Sequence, residues 1–412
     1  MSTVLLMTSF DTREAEALLL KNLIEDQGCN VLTLDISTGT CREGVADFSC
    51  HDVAAEIGLN FESFSSTSNT YLTMEYVTQA GLSIARRLFK EGRVNGLAGI
   101  GGTSNITVVS LIMKEFPFGV PKLILTSSAA IPAYASKFFA DSDIAIFHSC
   151  VEINTLNVFV RDVLRRFSGL VAGALRIDKS SLRNSAPAVA LTEFKFSEGC
   201  ASRVRERLEE KGFEAVPFSA SGPGERIMEQ MVEKGHFSGV IDLVPAGLSE
   251  ALLGGNRAAG LDRLDRELVS GIPVILTPCG FEMLSCGPLD RRDGDPWWKR
   301  KRIAERKLFV PDKYRVQART TKREMSTIAK LFGAKLNRTT GVVTVFIPLR
   351  GFSSLSKEGG PLYEPETDAV FFKALKTVCD RNKVNLIPLD CNIDDPLFAD
   401  AMVDHLAKQI GS

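Results

Sequence analysis

The sequence predicts an α/β protein of two doubly wound, parallel-sheet, Rossmann-like domains. Three observations predict it. Short apolar runs of strand length alternate with longer stretches of helical periodicity from Val4 onward. Turns rich in Gly, Ser, Thr and Asp follow those runs, as in open parallel sheets whose ligands meet the carboxyl ends of the strands. A polar stretch, Lys179-Ser180-Ser181-Leu182-Arg183-Asn184-Ser185, stops the alternation, which restarts just after Pro187. It separates a nucleotide-binding-like α/β domain at 1–178 from a second α/β domain at 186–412. A chain of 412 residues suits two such domains, at about 100–200 residues each.

The first half opens with a buried strand, Val4–Met7, and the turn Thr8-Ser9-Phe10-Asp11-Thr12. A helix over about 13–26 follows, with Asp11 or Thr12 as cap and Gly28 as its stop. Val31–Ile36 is the second strand and carries Asp35 near its end. A short helix near 53–57, a Ser-rich stretch at 63–68 and a long helix over about 73–91 come next. The strand Val94–Ile100 breaks at Gly101-Gly102, and a helical pattern starts at once with Ile106, Val109, Leu111 and Ile112. A strand that stops at glycines and feeds a helix leaves unpaired N–H groups aimed out of the turn, the physical basis of an anion site. Strands at 123–125 and 144–147, the turn Thr126-Ser127-Ser128 and a helix over about 156–175 complete this half.

In the second half, strands fit 188–191, 215–218, 240–244, 274–276, 343–347 and 385–389. Helices fit 202–211, 226–234, 261–269, 321–332 and 368–379, and a last one follows Asp394-Asp395-Pro396. The segment from Cys286 to Val316 breaks the rhythm. It holds both tryptophans, Trp297 and Trp298, and the basic run Lys299-Arg300-Lys301-Arg302. Such a segment is a lid or interaction loop, or a solvated loop stapled down by its tryptophans.

Bulk properties exclude several classes. A net charge of −1 gives no field to hold nucleic acid or an anionic membrane. No apolar run approaches the roughly 20 residues that cross a bilayer, and the N-terminus lacks a basic, signal-like region, so the expected location is cytoplasmic. Nine scattered cysteines with no Cys-x-x-Cys pair read as free thiols in a reducing compartment. Four histidines, none near another in sequence, give no metal site.

Candidate ligand residues are the strand-end turns. Asp11, Thr12, Asp35, Gly101, Gly102, Thr103, Ser104, Asn105 and Ser127 offer hydroxyls, carboxylates and helix N-termini with few cations, which suits a phosphate or carboxylate held by neutral donors. Asp11 is equally an N-cap, and Asp35 is a ribose ligand or a turn residue. No Gly-Lys-Ser/Thr follows the glycines, so the turn is not a Walker A loop, nor is it the Gly-x-Gly-x-x-Gly fingerprint. In the second half the candidates for chemistry are Glu225, Cys279, Arg319 and Arg350. Cys279 is a strand-end thiol or a buried inert one; the arginines hold an anionic substrate or pair on the surface.

An ordered set of stretches runs nearly end to end: Asp11-Thr12-Arg13-Glu14, Gly101-Gly102-Thr103, Phe118-Gly119-Val120-Pro121-Lys122, Ser142-Asp143-Ile144 and Glu152-Ile153-Asn154-Thr155-Leu156-Asn157. Gly254-Gly255, Arg319-Thr320-Thr321, Ile347-Pro348-Leu349-Arg350-Gly351 and Asp394-Asp395-Pro396-Leu397-Phe398-Ala399-Asp400 continue it. The set resembles the tobamovirus-resistance-protein-like ATP-binding family and its bacterial relatives. The resemblance implies two α/β subdomains, a homodimer, and ATP bound where the Asp11-Thr12 and Gly101–Asn105 turns meet. The chain departs from that pattern where Ser104-Asn105 replaces glycines, and where Ser219, Pro311 and Asn392 stand in place of histidines.

Two functional readings follow. One is a small-molecule enzyme, a hydrolase or lyase acting on a carbonyl or acyl substrate at a cleft between the domains. The other is a non-catalytic ATP-binding protein that engages a protein partner, with 297–302 as the partner surface. In both, the ligand is a nucleotide or other small anion, with ATP the candidate cofactor.

Overall fold

A computed structural model describes residues 1–62, 69–177 and 186–411. The Ser-rich stretch at 63–68 and the polar stretch at 179–185 lie outside the described residues. The chain falls into two compact units, Met1–Arg183 and Asn184–Ser412.

The first unit holds strands β1 (Thr3–Thr8), β2 (Asn30–Asp35), β3 (Gly96–Ile100), β4 (Lys122–Thr126) and β5 (Ala145–His148). All pairings are parallel and the order is β2-β1-β3-β4-β5. The helices are α1 (Phe10–Glu25), α2 (Cys50–Glu56), α3 (Thr70–Lys90), α4 (Thr103–Lys114), α5 (Pro132–Phe139) and α6 (Val158–Leu175). Because strand side chains alternate faces, the sheet builds two cores. On one face, Val4 and Leu6 pack with Leu20 and Ile24 of α1 and Val160, Phe167 and Val171 of α6. On the other, Leu5 and Met7 pack with Val77 and Ile84 of α3 and Ile106 and Ile112 of α4.

The second unit has a six-stranded parallel sheet, order β14-β13-β9-β8-β6-β7. Its strands are β6 (Ala188–Glu193), β7 (Glu214–Ser219), β8 (Gly239–Asp242), β9 (Val274–Leu276), β13 (Val343–Pro348) and β14 (Val384–Leu389). Helices α7 (Glu198–Glu210) and α13 (Pro396–Ile410) cover one face, with Val204, Leu208, Phe398 and Met402 buried. Helices α8 (Pro223–Glu233), α9 (Gly247–Leu253), α11 (Lys322–Leu336) and α12 (Pro365–Val378) cover the other.

Two features of this unit differ from the sequence reading. The segment at 286–316 is not a bare loop. It carries α10 (Pro296–Lys301) and strand β11 (Leu308–Phe309), and β11 joins β10 (Met283–Ser285) and β12 (Gln317–Arg319) in a small antiparallel sheet. The helix expected at 261–269 is a run of turns ending in one short 3-10 turn, Glu267–Val269. Leu264 has a left-handed φ of 79°, which a helix interior does not accept, and the preceding Arg263 is fully buried. The cysteines also differ from expectation: Cys41 and Cys50 form a disulfide, and seven remain free.

Candidate functional site

In the first unit the chain runs from β1 to β2 on one side and crosses to β3 on the other. Such a reversal opens a crevice beyond the carboxyl ends of the two strands. Their turns are tied together there. Thr8 Oγ1 donates to the Ile100 carbonyl at 2.9 Å, and Ser9 Oγ donates to Asn105 Oδ1 at 2.7 Å. Asn105 Nδ2 is buried with no partner among the described residues.

Helix α4 starts in this crevice with Gly102 as N-cap, and no side chain caps it. Its first-turn N–H groups therefore keep their partial positive charge uncompensated. Space is short at the turn, since a Cβ on Gly101 would stand 2.7 Å from Asn105 Cβ. The cation that completes the turn is Arg13. Its backbone is non-helical inside α1 (φ −142°, ψ 30°), and Nη2 reaches within 3.3 Å of where a Cβ on Gly102 would be. Nη1 donates to Thr12 Oγ1 at 3.0 Å, while Nε has no partner among the described residues. A guanidinium and an uncapped helix N-terminus thus converge on one spot, an arrangement that holds an anion.

The carboxylates lie beside this spot. Asp11 Oδ2 accepts from Gly39 N at 3.2 Å, and Oδ1 is buried without a partner among the described residues. Asp35 is fully buried. Its Oδ1 accepts from Phe10 N at 3.1 Å, Ser37 N at 2.9 Å and Ser37 Oγ at 2.5 Å. Burial raises its pKa, the hydrogen bonds of Ser37 and Phe10 oppose the rise, and the charge of Asp11 adds to it. Asp35 therefore fastens the β1 and β2 turns from beneath. Cys41 and Cys50 are its neighbours, with one donor atom from each of the three within 4.8 Å.

Of the residues expected at the site, Asp11, Thr12 and Gly101 to Asn105 come together around the crevice. Thr103 Oγ1 lies 2.8 Å from Ser128 Oγ, at the next strand end. Ser127 donates to Glu152 Oε1 at 2.9 Å. Arg13 was not singled out by the sequence reading, although it stands in the Asp11–Glu14 stretch. The signal is a cation one residue after two polar turn residues, but its direction depends on the kink.

The second unit reverses direction between β6 and β8, and there the corresponding crevice is filled. Arg263 is fully buried beneath it. Its Nη2 donates to Asp242 Oδ2 and its Nε to Glu225 Oε1, at 2.5 and 3.3 Å. Glu229 and Glu267 approach Nη1 at 3.5 and 3.4 Å. Thr192 donates to Asp242 Oδ1 at 2.5 Å. One guanidinium among four enclosed carboxyl groups cannot neutralise them all, and protonation makes up the difference. Burial pushes Glu225 up to about 7 against the pull of Arg263, and pushes Glu229 and Glu267 up as well.

The four second-half candidates are separately engaged. Glu225 is fully enclosed and accepts from the N–H groups of Gly222 and Gly247 at 3.0 and 2.9 Å. Cys279 is fully enclosed, and burial and the nearby Glu282 raise its thiol well above the ordinary range, so it is not poised as a thiolate. Arg319 is buried, donates to the carbonyl of Glu282 at 2.7 Å and pairs with Asp368. Arg350 pairs with Asp390 on the surface, with side chains 67% and 70% exposed.

This is a two-unit, doubly wound α/β protein whose first unit brings a guanidinium to an uncapped helix N-terminus, while the second buries an arginine among four carboxyl groups at its strand ends. The chain belongs to the uncharacterised protein family UPF0261: its N-terminal domain model matches residues 2–180 and its C-terminal domain model residues 186–410. A UPF0261 protein of Clostridium tetani is 27% identical over 99% of this chain and 98% of its own length. The tomato ToMV resistance protein Tm-1(GCR237) is 29% identical over 91% of this chain, which spans 50% of that protein. Among solved structures, UDP-N-acetylglucosamine 2-epimerase from Rickettsia bellii covers 100% of this chain and 95% of its own, at 11% identity and a TM-score of 0.24. A likeness at that level carries no argument. No described helix is long and apolar enough to cross a membrane.

Proposed function

We propose that the first unit is a nucleotide-binding module for ATP or a close relative, with the phosphates held between Arg13 and the first turn of α4. The observation that carries this reading is the Arg13 guanidinium lying against the Gly102 N-cap of an otherwise uncapped helix. Phosphate oxygens would take the N–H groups of that turn and one edge of the guanidinium. Asn105 Nδ2 and Asp11 Oδ1, both buried and without a partner among the described residues, are polar atoms available to the rest of the ligand. Asp35 positions the turn and does not touch the ligand in this reading.

The binding role is favoured over turnover as a hydrolase or lyase. An acyl or carbonyl chemistry needs a reactive group in reach of substrate, and Glu225, Cys279 and Arg319 are each enclosed. The protein on this reading acts through a partner or a second copy. Exposed apolar side chains on the first unit, Tyr134, Phe139, Val158 and Phe159, support self-association.

Thermal unfolding of the full chain with and without ATP tests the reading. Binding to the native state raises the melting temperature by ligand linkage. A melting curve unmoved by saturating ATP, with or without a divalent cation, would overturn it.

A further inference from the structure

We infer that the second unit carries its own site for a small phosphate-bearing anion, in a basic groove between α10 and α11. The groove has a volume of about 730 Å³ and is lined by Arg300, Lys301, Arg302, Arg306 and Arg323, with Glu305 and Glu324 as its acids. That volume falls in the usual range for small-molecule sites, about 300–1,000 Å³. The site is independent of the ATP reading, since it shares no residue with the first unit.

The charges do not cancel. Glu324 is taken up by Arg306, which donates to it at 2.7 and 3.1 Å, and it also closes the N-terminal capping box of α11 with Thr321. Glu305 is taken up by Arg302. Lys301 Nζ is 3.8 Å from Glu324, a carboxylate already committed to Arg306. Arg300 and Arg323 have no ion-pair partner among the described residues. Five cations against two carboxylates leave three positive charges in excess within one concave surface. A solvated basic face would spread its charge over a convex helix; here the five cations line one groove.

The frame that holds them is rigid. Trp298 is buried and its Nε1 donates to the Cys286 carbonyl at 2.8 Å. Asp295 caps α10 through the N–H groups of Trp297 and Trp298 at 2.7 and 3.2 Å. Arg306, with a side chain only 9% exposed, is fixed further by the carbonyls of Lys301 and Arg319. Pre-positioned guanidinium groups in excess of their carboxylates recognise phosphate, whose several oxygens take forked donors. An excess of three positive charges selects a di- or oligophosphate over a monoanion. The basic run and the two tryptophans, unexplained by the crevice of the first unit, have a role here.

The test is a titration of the full chain with inorganic pyrophosphate at low ionic strength, followed by tryptophan fluorescence and by calorimetry. Both tryptophans lie in α10, the helix that supplies Arg300 and Lys301 to the groove, so their fluorescence follows that helix. Saturable binding is expected, weakened roughly tenfold or more in Arg300→Ala/Arg323→Ala, whose side chains brace nothing in the fold. Lys313→Ala, outside the groove, is expected to bind as the wild type does. Absence of binding in a folded wild type would overturn the proposal. Equal affinity in the double variant would do so too.

Discussion

Ser9 and Asn105 are joined by a 2.7 Å hydrogen bond that links the turn after β1 to the first turn of α4. The bond spans the crevice where the sheet of the first unit reverses direction. It uses the oxygen of the Asn105 amide and leaves its Nδ2 buried and without a partner among the described residues. A glycine at 105 could not make this tie; Asn105 joins the two turns through its oxygen and keeps a second donor in its Nδ2.

The tightness of this turn sets a first prediction. A methyl group on Gly101 would sit 2.7 Å from Asn105 Cβ and 3.0 Å from its Nδ2. Gly101→Ala should therefore displace the first turn of α4 and cost about 1–3 kcal/mol, the range for overpacking a well-filled site. Urea unfolding followed by circular dichroism measures it. A variant as stable as the wild type would mean the turn is looser than described.

Arg263 gives the second. Removing the guanidinium enclosed among Glu225, Glu229, Asp242 and Glu267 leaves these carboxyl groups without their buried counter-ion. Arg263→Ala should destabilise the second unit by about 3–5 kcal/mol, as for other broken buried pairs. Tryptophan fluorescence follows that unit alone, because Trp297 and Trp298 both lie in it. A loss under about 1 kcal/mol would contradict this account of the plug.

The same cluster makes stability depend on pH, with a sign fixed by the direction of the shift. Glu225 titrates at about 7 in the folded state against 4.5 for the unshifted group. Between those values the folded state binds more protons than the unfolded one, so stability falls as pH rises. The contribution is fully present below about 4.5 and is lost as pH rises through about 7. Glu225→Gln removes the titration. The wild type should lose stability relative to this variant as pH is raised across the window, and a pH-independent difference would contradict the assignment.

Cysteine reactivity supplies a fourth. Cys150 is exposed, whereas Cys200 and Cys279 are enclosed with thiols pushed above their ordinary range. Native alkylation followed by peptide mass mapping should label Cys150 first and leave Cys200 and Cys279 untouched until the chain unfolds. Rapid labelling of Cys279 would restore it as a candidate nucleophile.

Much of the fold was legible because strand length and helical period differ so clearly. The runs at Val94–Ile100 and Val343–Ile347 could not be read otherwise, and Asp394-Asp395-Pro396 does begin α13, with Asp395 as N-cap. The small antiparallel sheet was not legible, since strands of two or three residues show no alternation. The pattern at 261–269 has helical spacing but lacks helical structure, because burying Arg263 among four carboxyl groups outweighs a weak local preference. At the crevice, the glycine turn and Asp11 were legible from residue type. The direction of Arg13 was not, because it follows from one backbone kink. The enclosure of Asp35 was hidden for a similar reason: it depends on Ser37 and Phe10 folding over it. The pairing of Cys41 with Cys50 crosses a loop whose course carries no periodic signal.

The central claim is that Arg13 and the start of α4 together hold the phosphates of a nucleotide. Calorimetric titration of ATP into the full chain and into Arg13→Gln tests it most directly. The account predicts saturable binding to the wild type and an affinity lower by roughly tenfold or more in the variant, the loss of one charge-assisted contact. ATP that binds both proteins equally, or neither while both remain folded, would contradict it.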